Sequence, residues 1–262
     1  MIKINKQSSP PVVKFTSNSH PNYNQQKWRV FTLALIKKYN SGLVDFLKDK
    51  NKFTQAYGYA KFKKQLRDAQ GPKCCYCEKP IDSGAIEHFR PKEAYKVAKR
   101  NSLIRPGYYW LAYYWENMLL SCDDCNKSER KGNLFPLMNG YRAKTHLDDY
   151  RNELPVLINP AEEDPSIFIS FNLDNPIAVN NNFRGEQTIE ILGLDQRYDL
   201  ISGRKERLRL YKAMKIIAQR LSPDQQITQV EIDDAIEFVR TAIDDHEPFS
   251  GMIRENIKRG LL

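Results

Sequence analysis

The sequence predicts an α+β protein in which a short, metal-stapled module of strands and turns is embedded in a mostly helical chain. Three observations carry this. Two Cys-x-x-Cys pairs, Cys74/Cys77 and Cys122/Cys125, flank a turn-rich stretch. Apolar positions before and after it recur at helical spacing. Between them short apolar runs are punctuated by Gly, Pro and Asn, as strands joined by turns are. Three regions follow: residues 1–70 as an arm and helical lead, 71–140 as the cysteine module, and 141–262 as a mainly helical C-terminal region.

The chain to Asn24 mixes Ser, Asn, Pro and Lys without periodicity and reads as an extended arm. From Gln25 to Tyr39 the residues Trp28, Phe31, Leu35 and Ile36 share one helical face, and Leu43, Phe46 and Leu47 continue the pattern past Ser41-Gly42. A third helix is expected from Phe53 to Ala69, ended by Gly71-Pro72. The run Tyr108–Trp115, with Pro106 near its start, reads as a buried helix. Val156–Asn159 and Ile167–Phe171 read as strands, with Asn180-Asn181-Asn182 as a turn. A long helical pattern from Leu194 to Leu221 stops at Ser222-Pro223, and a last helix runs from about Thr228 to Ile243.

A Cys-x-x-Cys knuckle holds two thiolates about 2.3 Å from one ion, and two knuckles complete the closed four-thiolate shell of a structural zinc site. Such a shell leaves no open position for chemistry. Cys75 is the surplus thiol, expected as a small buried residue. Chemistry therefore falls to the segment between the knuckles, Glu87-His88-Phe89-Arg90-Pro91-Lys92. Neutral imidazole at His88 can take a proton from water, and Glu87 can hold a hard divalent cation. Strand alternation would point the two to different sides and give them different roles. Asn117 precedes the run Met118-Leu119-Leu120, and Asn126 follows Cys125. An amide oxygen at Asn126 is an acceptable Mg2+ ligand.

Composition points to a polyanion as partner. The 262 residues carry a net charge of +9, and 41% hydrophobic content is enough to bury a core. Arg90, Lys92, Lys127 and Lys131 are the candidate phosphate contacts, with Lys96, Lys99, Arg100, Arg105 and Arg130 nearby. All five cysteines lie between Cys74 and Cys125, which suits a reduced compartment and a metal site better than disulfides. No apolar run approaches the roughly 20 residues a spanning helix needs, and the polar start does not read as a signal peptide, so a cytoplasmic protein without membrane contact is expected. The chain carries no phosphate-cradling GxxxxGK[ST] motif, so any ATP hydrolysis must come from another chain.

The order Cys-x-x-Cys, Glu-His, Trp115-Glu116-Asn117, Cys-x-x-Cys-Asn and Lys131-Gly132 resembles the zinc-stapled HNH endonucleases, whose ββα-metal motif cuts nucleic acid. More closely, the stretches IEHFRPK, YYWLAYYWEN, LLSCDDCNKSERKGNLFP, INPAEEDPSIFISF and TIEILGL resemble the PtuB family of Septu and some retron anti-phage systems. The resemblance is strong from about Lys73 to Leu137 and extends to about Arg207. It implies His88 as general base, Glu87 and Asn126 as ligands of a catalytic Mg2+ or Mn2+, and Asn117 as the residue that orients the loop carrying His88. It also implies phosphodiester hydrolysis, DNA as the first substrate, a PtuA-like ABC-type ATPase as partner, and in some systems a retron reverse transcriptase with its RNA/DNA product. Two other readings fit the same residues: a non-catalytic zinc ribbon that grips nucleic acid or protein, and an HNH-type RNase acting on tRNA.

Overall fold

The computed structural model describes residues 1–6, 25–42, 53, 60–220, 222–223 and 226–262. The expected arm over 7–24, the helix through Leu43 and Leu47, the start of the helix expected from Phe53 and the end of the one expected to reach Leu221 fall outside the described residues. Two helices, α1 (Gln25–Asn40) and α2 (Ala60–Gln70), precede the module. Gly71, at φ 80°, ends α2 in the left-handed region, where glycine carries no Cβ penalty.

The module is built on two short antiparallel strands, β1 (Ala85–His88) and β2 (Met118–Ser121). Their register sets Glu87 opposite Leu119 and His88 opposite Met118. A single turn of helix, α3 (Asp123–Asn126), follows β2 directly. All four residues of β2 are buried, which fits its apolar sequence. The exposed edge of a strand needs partners for its backbone. The Gln70 side chain at the end of α2 supplies them: Leu120 N–H donates to Gln70 Oε1 (3.0 Å), and Gln70 Nε2 donates to the carbonyl of Leu120 (2.7 Å).

The expected helix over Tyr108–Trp115 is not a helix. The chain forms two separate 3-10 turns, Tyr109–Leu111 and Trp115–Asn117, with the aromatic side chains buried except Tyr114. The reason lies in the carbonyls: Leu111 O accepts from Asn117 Nδ2 (3.2 Å), and Ala112 O faces the His88 ring (3.0 Å). Side chains from Asn117 and His88 thus engage carbonyls of this run.

The C-terminal region adds a second hairpin, β3 (Ile169–Asn172) with β4 (Asn175–Ala178). Asn180 and Asn181, at φ 49° and 55°, turn the chain through the left-handed region that asparagine tolerates. Val156–Asn159 is buried but irregular rather than a strand. Its amides bond elsewhere, Val156 to the Pro136 carbonyl and Ile158 to Thr188 Oγ1. A helix the periodicity did not reveal, α4 (Phe183–Leu192), follows. Its cap signals are present in the sequence: Asn182 Oδ1 accepts from the amides of Arg184 and Gly185, and Gly193 closes the end at φ 59°. Then come α5 (Tyr198–Ala218), α6 (Gln229–Thr241) and α7 (Ser250–Lys258), the last also absent from the sequence expectation. Thr228 and Glu231 form a reciprocal capping box that starts α6. One continuous core runs from Leu66 through Phe89, Tyr108, Leu120 and Phe135 to Leu192 and Leu200, so the module and the C-terminal helices share it. No helix among the described residues is long and apolar enough to cross a membrane.

Candidate metal centre and catalytic cavity

Cys74, Cys77, Cys122 and Cys125 converge, with all four sulfurs within 4.8 Å of one another and all four residues buried. The sulfurs of Cys77 and Cys122 lie 3.8 Å apart. A tetrahedral shell with Zn–S bonds of about 2.3 Å needs sulfur separations of this size. The electrostatics point the same way. Burial pushes the Cys74 and Cys77 thiols up, and contact with Cys122 does the same to Cys125. Sulfur hydrogen bonds from Cys125, Cys74 and Cys77 drive Cys122 far down. One thiolate is thus favoured and three opposed, a state that a bound divalent cation resolves by stabilising the thiolate form of all four. The donor set therefore fits structural zinc. Cys75 is outside the four-sulfur group, 3% exposed, its amide bonded to the Leu120 carbonyl.

Glu87, His88 and Asn126 border one cavity of about 340 Å³, together with Lys92, Glu93, Ser128 and Asn133. Alternation on β1 was expected to separate Glu87 from His88. Instead both border this cavity, His88 being the last residue of the strand, where the chain turns away. The Nε2 atom of His88 lies 3.0 Å from the Ala112 carbonyl. A carbonyl only accepts, so Nε2 carries the proton and Nδ1 is the basic nitrogen of the ring. Burial, with the charges of Lys92 and Lys131 adding to it, pushes the His88 pKa down to about 3, which keeps the imidazole neutral across the physiological range.

Asn117 clasps the chain that follows His88. Its Oδ1 accepts from the Arg90 amide (2.8 Å), its Nδ2 donates to the Arg90 carbonyl (3.0 Å), and its own carbonyl accepts from the Phe89 amide (2.9 Å). Arg90 and Asn117, 27 residues apart in sequence, are thereby held together just beyond the last pair of β1 and β2. The side chain of Asn117 does not border the cavity.

Two of the expected phosphate contacts are not on a surface. Lys131 is fully buried, ion-paired with Glu87 Oε1, and its Nζ donates to the His88 carbonyl (3.0 Å). Arg90 is buried against Glu153, with Nε 2.9 Å from Oε2 and the guanidinium 4.8 Å from the Tyr150 ring centre. Both are corrections with one physical reason: a charge carried by a segment packed into the core must find an opposite charge there. Lys92 is one-fifth exposed and borders the cavity, and Lys127 is half-exposed beside Asp124 (3.4 Å).

Burial raises the Glu87 pKa, opposed by Lys131 and by the Tyr76 hydroxyl, which donates to the same Oε1 (3.3 Å). The side-chain oxygens of Glu87 and Asn126 are donors of the kind a hard divalent cation takes, and both residues border the cavity. Such an ion would share the Glu87 carboxylate with Lys131. Sequence spacing gave no sign of Tyr76, Lys131 or Glu153 in these roles, because each acts on a residue far along the chain.

An antiparallel strand pair and a helical turn flanked by two converging cysteine knuckles, with a Glu-His pair on the first strand, define an α+β protein with a four-cysteine site that fits a structural metal. Over 202 residues, 75% of its length, the chain is 34% identical to the Septu protein PtuB of Bacillus mycoides (strain KBAB4) and spans 64% of that relative. The chain belongs to the PtuB family. No family model matches it, and no solved structure does.

Proposed function

We propose that the chain is a metal-dependent HNH endonuclease that hydrolyses nucleic-acid phosphodiesters, DNA first, as the effector of a Septu-type anti-phage complex with a PtuA-like ATPase. The observation that carries this reading is the convergence of Glu87, His88 and Asn126 on one cavity, beside a neutral His88 whose protonated nitrogen is fixed on Ala112 O. With Nε2–H committed to the carbonyl, Nδ1 is the atom that takes the proton from an attacking water. An anionic phosphodiester arriving beside the ring raises its basicity at the moment it is needed. Glu87 and Asn126 would hold Mg2+ or Mn2+, which would supply charge stabilisation to the leaving oxygen. Lys92 at the rim orients a phosphate oxygen. Asn117 keeps the chain after His88 in place, and the zinc centre is architectural.

The test incubates purified chain, alone and with the neighbouring ATPase, with plasmid DNA, single-stranded DNA and tRNA in Mg2+ or Mn2+. His88→Ala is expected to abolish cleavage while zinc content and folding stay intact. Cys77→Ser is expected to lose zinc and fold together. Cleavage of tRNA alone moves the substrate to RNA. Absence of cleavage in every arm, with zinc bound, leaves a binding module in place of the enzyme.

A further inference from the structure

The four-thiolate centre is contacted from outside the module. Arg197, which precedes α5, donates from Nη1 to Cys125 Sγ at 3.1 Å, and the arginine is buried at 7% exposure. The same guanidinium pairs with Asp199 (2.8 Å) and Asp124 (3.3 Å). Lys79, two residues past the first knuckle, pairs with the same two carboxylates at 2.7 and 3.0 Å. One network thus joins both knuckles to the first turn of α5.

Seven residues on, within α5, Arg204 is 1% exposed. Its guanidinium donates to the Leu194 carbonyl (2.6 Å) and sits 5.2 Å from the Phe171 ring, and its Nε has no hydrogen-bond partner among the described residues. Burial pushes its pKa down, while the Cys77 sulfur and Glu78 act against that. Asp124 and Asp199 are shared by Lys79 and Arg197, and Asp124 also by Lys127, so this pairing network holds three cations against two carboxylates. A zinc ion on four thiolates carries a net charge of −2 and lowers its energy by hydrogen bonds and nearby cations.

We infer that the start of α5 supplies counter-charge to the zinc–thiolate centre through the N–H···S bond of Arg197, so that zinc retention and docking of α5 are one linked equilibrium. Arg197 is a positioning residue for the metal: it fixes Cys125 and stabilises its thiolate form. Conversely, withdrawal of zinc leaves the buried Arg197 without the charge it faces, and α5 loses its seat. The inference requires only the four-cysteine centre and stands whether or not the cavity cuts nucleic acid.

The test uses the full zinc-loaded chain. Zinc transfer to a chromophoric chelator is timed for wild type, Arg197→Met, Arg197→Lys and Asp199→Asn, and amide exchange is followed over residues 198–218. Arg197→Met is expected to weaken zinc retention about 10–100-fold, the range seen when partners of metal ligands are removed, and to speed exchange in α5. Asp199→Asn leaves the N–H···S bond in place and is expected to change retention less. With Co2+ in place of zinc, Arg197→Met and Arg197→Lys are expected to shift the thiolate-to-metal absorption band, a change that loss of packing alone does not produce. Wild-type zinc release and an unmoved cobalt band in both Arg197 variants would overturn the inference, as would a wild-type chain that holds no zinc.

Discussion

Glu153 offers the sharpest test of how the segment after His88 is held. Its side chain has no exposure and accepts from Arg90 Nε (2.9 Å), the Tyr108 hydroxyl (2.6 Å) and the Ala143 amide (3.0 Å). Glutamine at this position keeps an acceptor for Tyr108 and Ala143 but removes the charge, leaving the Arg90 guanidinium, itself 5% exposed, without a buried counter-ion. Breaking a buried pair in this way costs about 3–5 kcal/mol, whereas replacing both members together costs far less. Glu162 cannot take over, since it lies 3.6 Å from Nη1 and is half-exposed. We therefore expect Glu153→Gln and Arg90→Met each to lower stability by about 3 kcal/mol, and the double variant to recover about 2–3 kcal/mol of the summed loss. Urea unfolding of the zinc-loaded chain, read by the fluorescence of the buried Trp110 and Trp115, measures this. With a slope of about 2–3 kcal/mol per molar, each single variant moves the midpoint down by roughly 1–1.5 M. Single effects that add to within about 0.5 kcal/mol would refute the argument, because uncoupled residues add.

Three further outcomes follow from the site. Asn117→Ala strips the partners from the buried Arg90 amide and carbonyl, and an expected loss of about 1–3 kcal/mol in the same unfolding assay should accompany a fall in cleavage rate larger than any change in substrate affinity. Lys131→Met leaves the Glu87 carboxylate buried without its cation, for an expected cost of about 3–5 kcal/mol that Mn2+ partly restores in thermal unfolding; stability indifferent to Mn2+ would argue against Glu87 as a ligand. Gly107→Ala would set a Cβ 2.4 Å from the Pro91 carbonyl and 2.7 Å from the Ala94 amide, and the resulting overpacking, about 1–3 kcal/mol, should displace the loop that borders the cavity; an unchanged melting temperature would show that this contact has slack.

Much of the centre was legible from short spacings. Two residues between cysteines fix a chelate loop whatever the rest of the chain does, so the four ligands could be read directly, and Cys75 could be set aside. The helices α1, α5 and α6 announced themselves through apolar periodicity, because a helix that buries one face repeats it every three to four residues. The elements that went unread, α4 and α7, are short, and only caps such as Asn182 and Gly193 mark α4. The aromatic run from Tyr108 was misread for the opposite reason: its composition is that of a buried helix, but its carbonyls are claimed by His88 and Asn117.

The sequence by itself determined the residue types of the metal centre and of the Glu-His segment, since local spacing is preserved in any fold the chain adopts. Which charges face solvent was decided only by the tertiary structure. Arg90 and Lys131 read as basic residues beside a reactive pair, yet their partners stand 63 residues away at Glu153 and 44 residues away at Glu87. The thiolates draw Arg197 from 72 residues beyond Cys125. A charge pairs with whatever opposite charge the packed chain brings near, and that proximity exists only after folding has closed the loops between them.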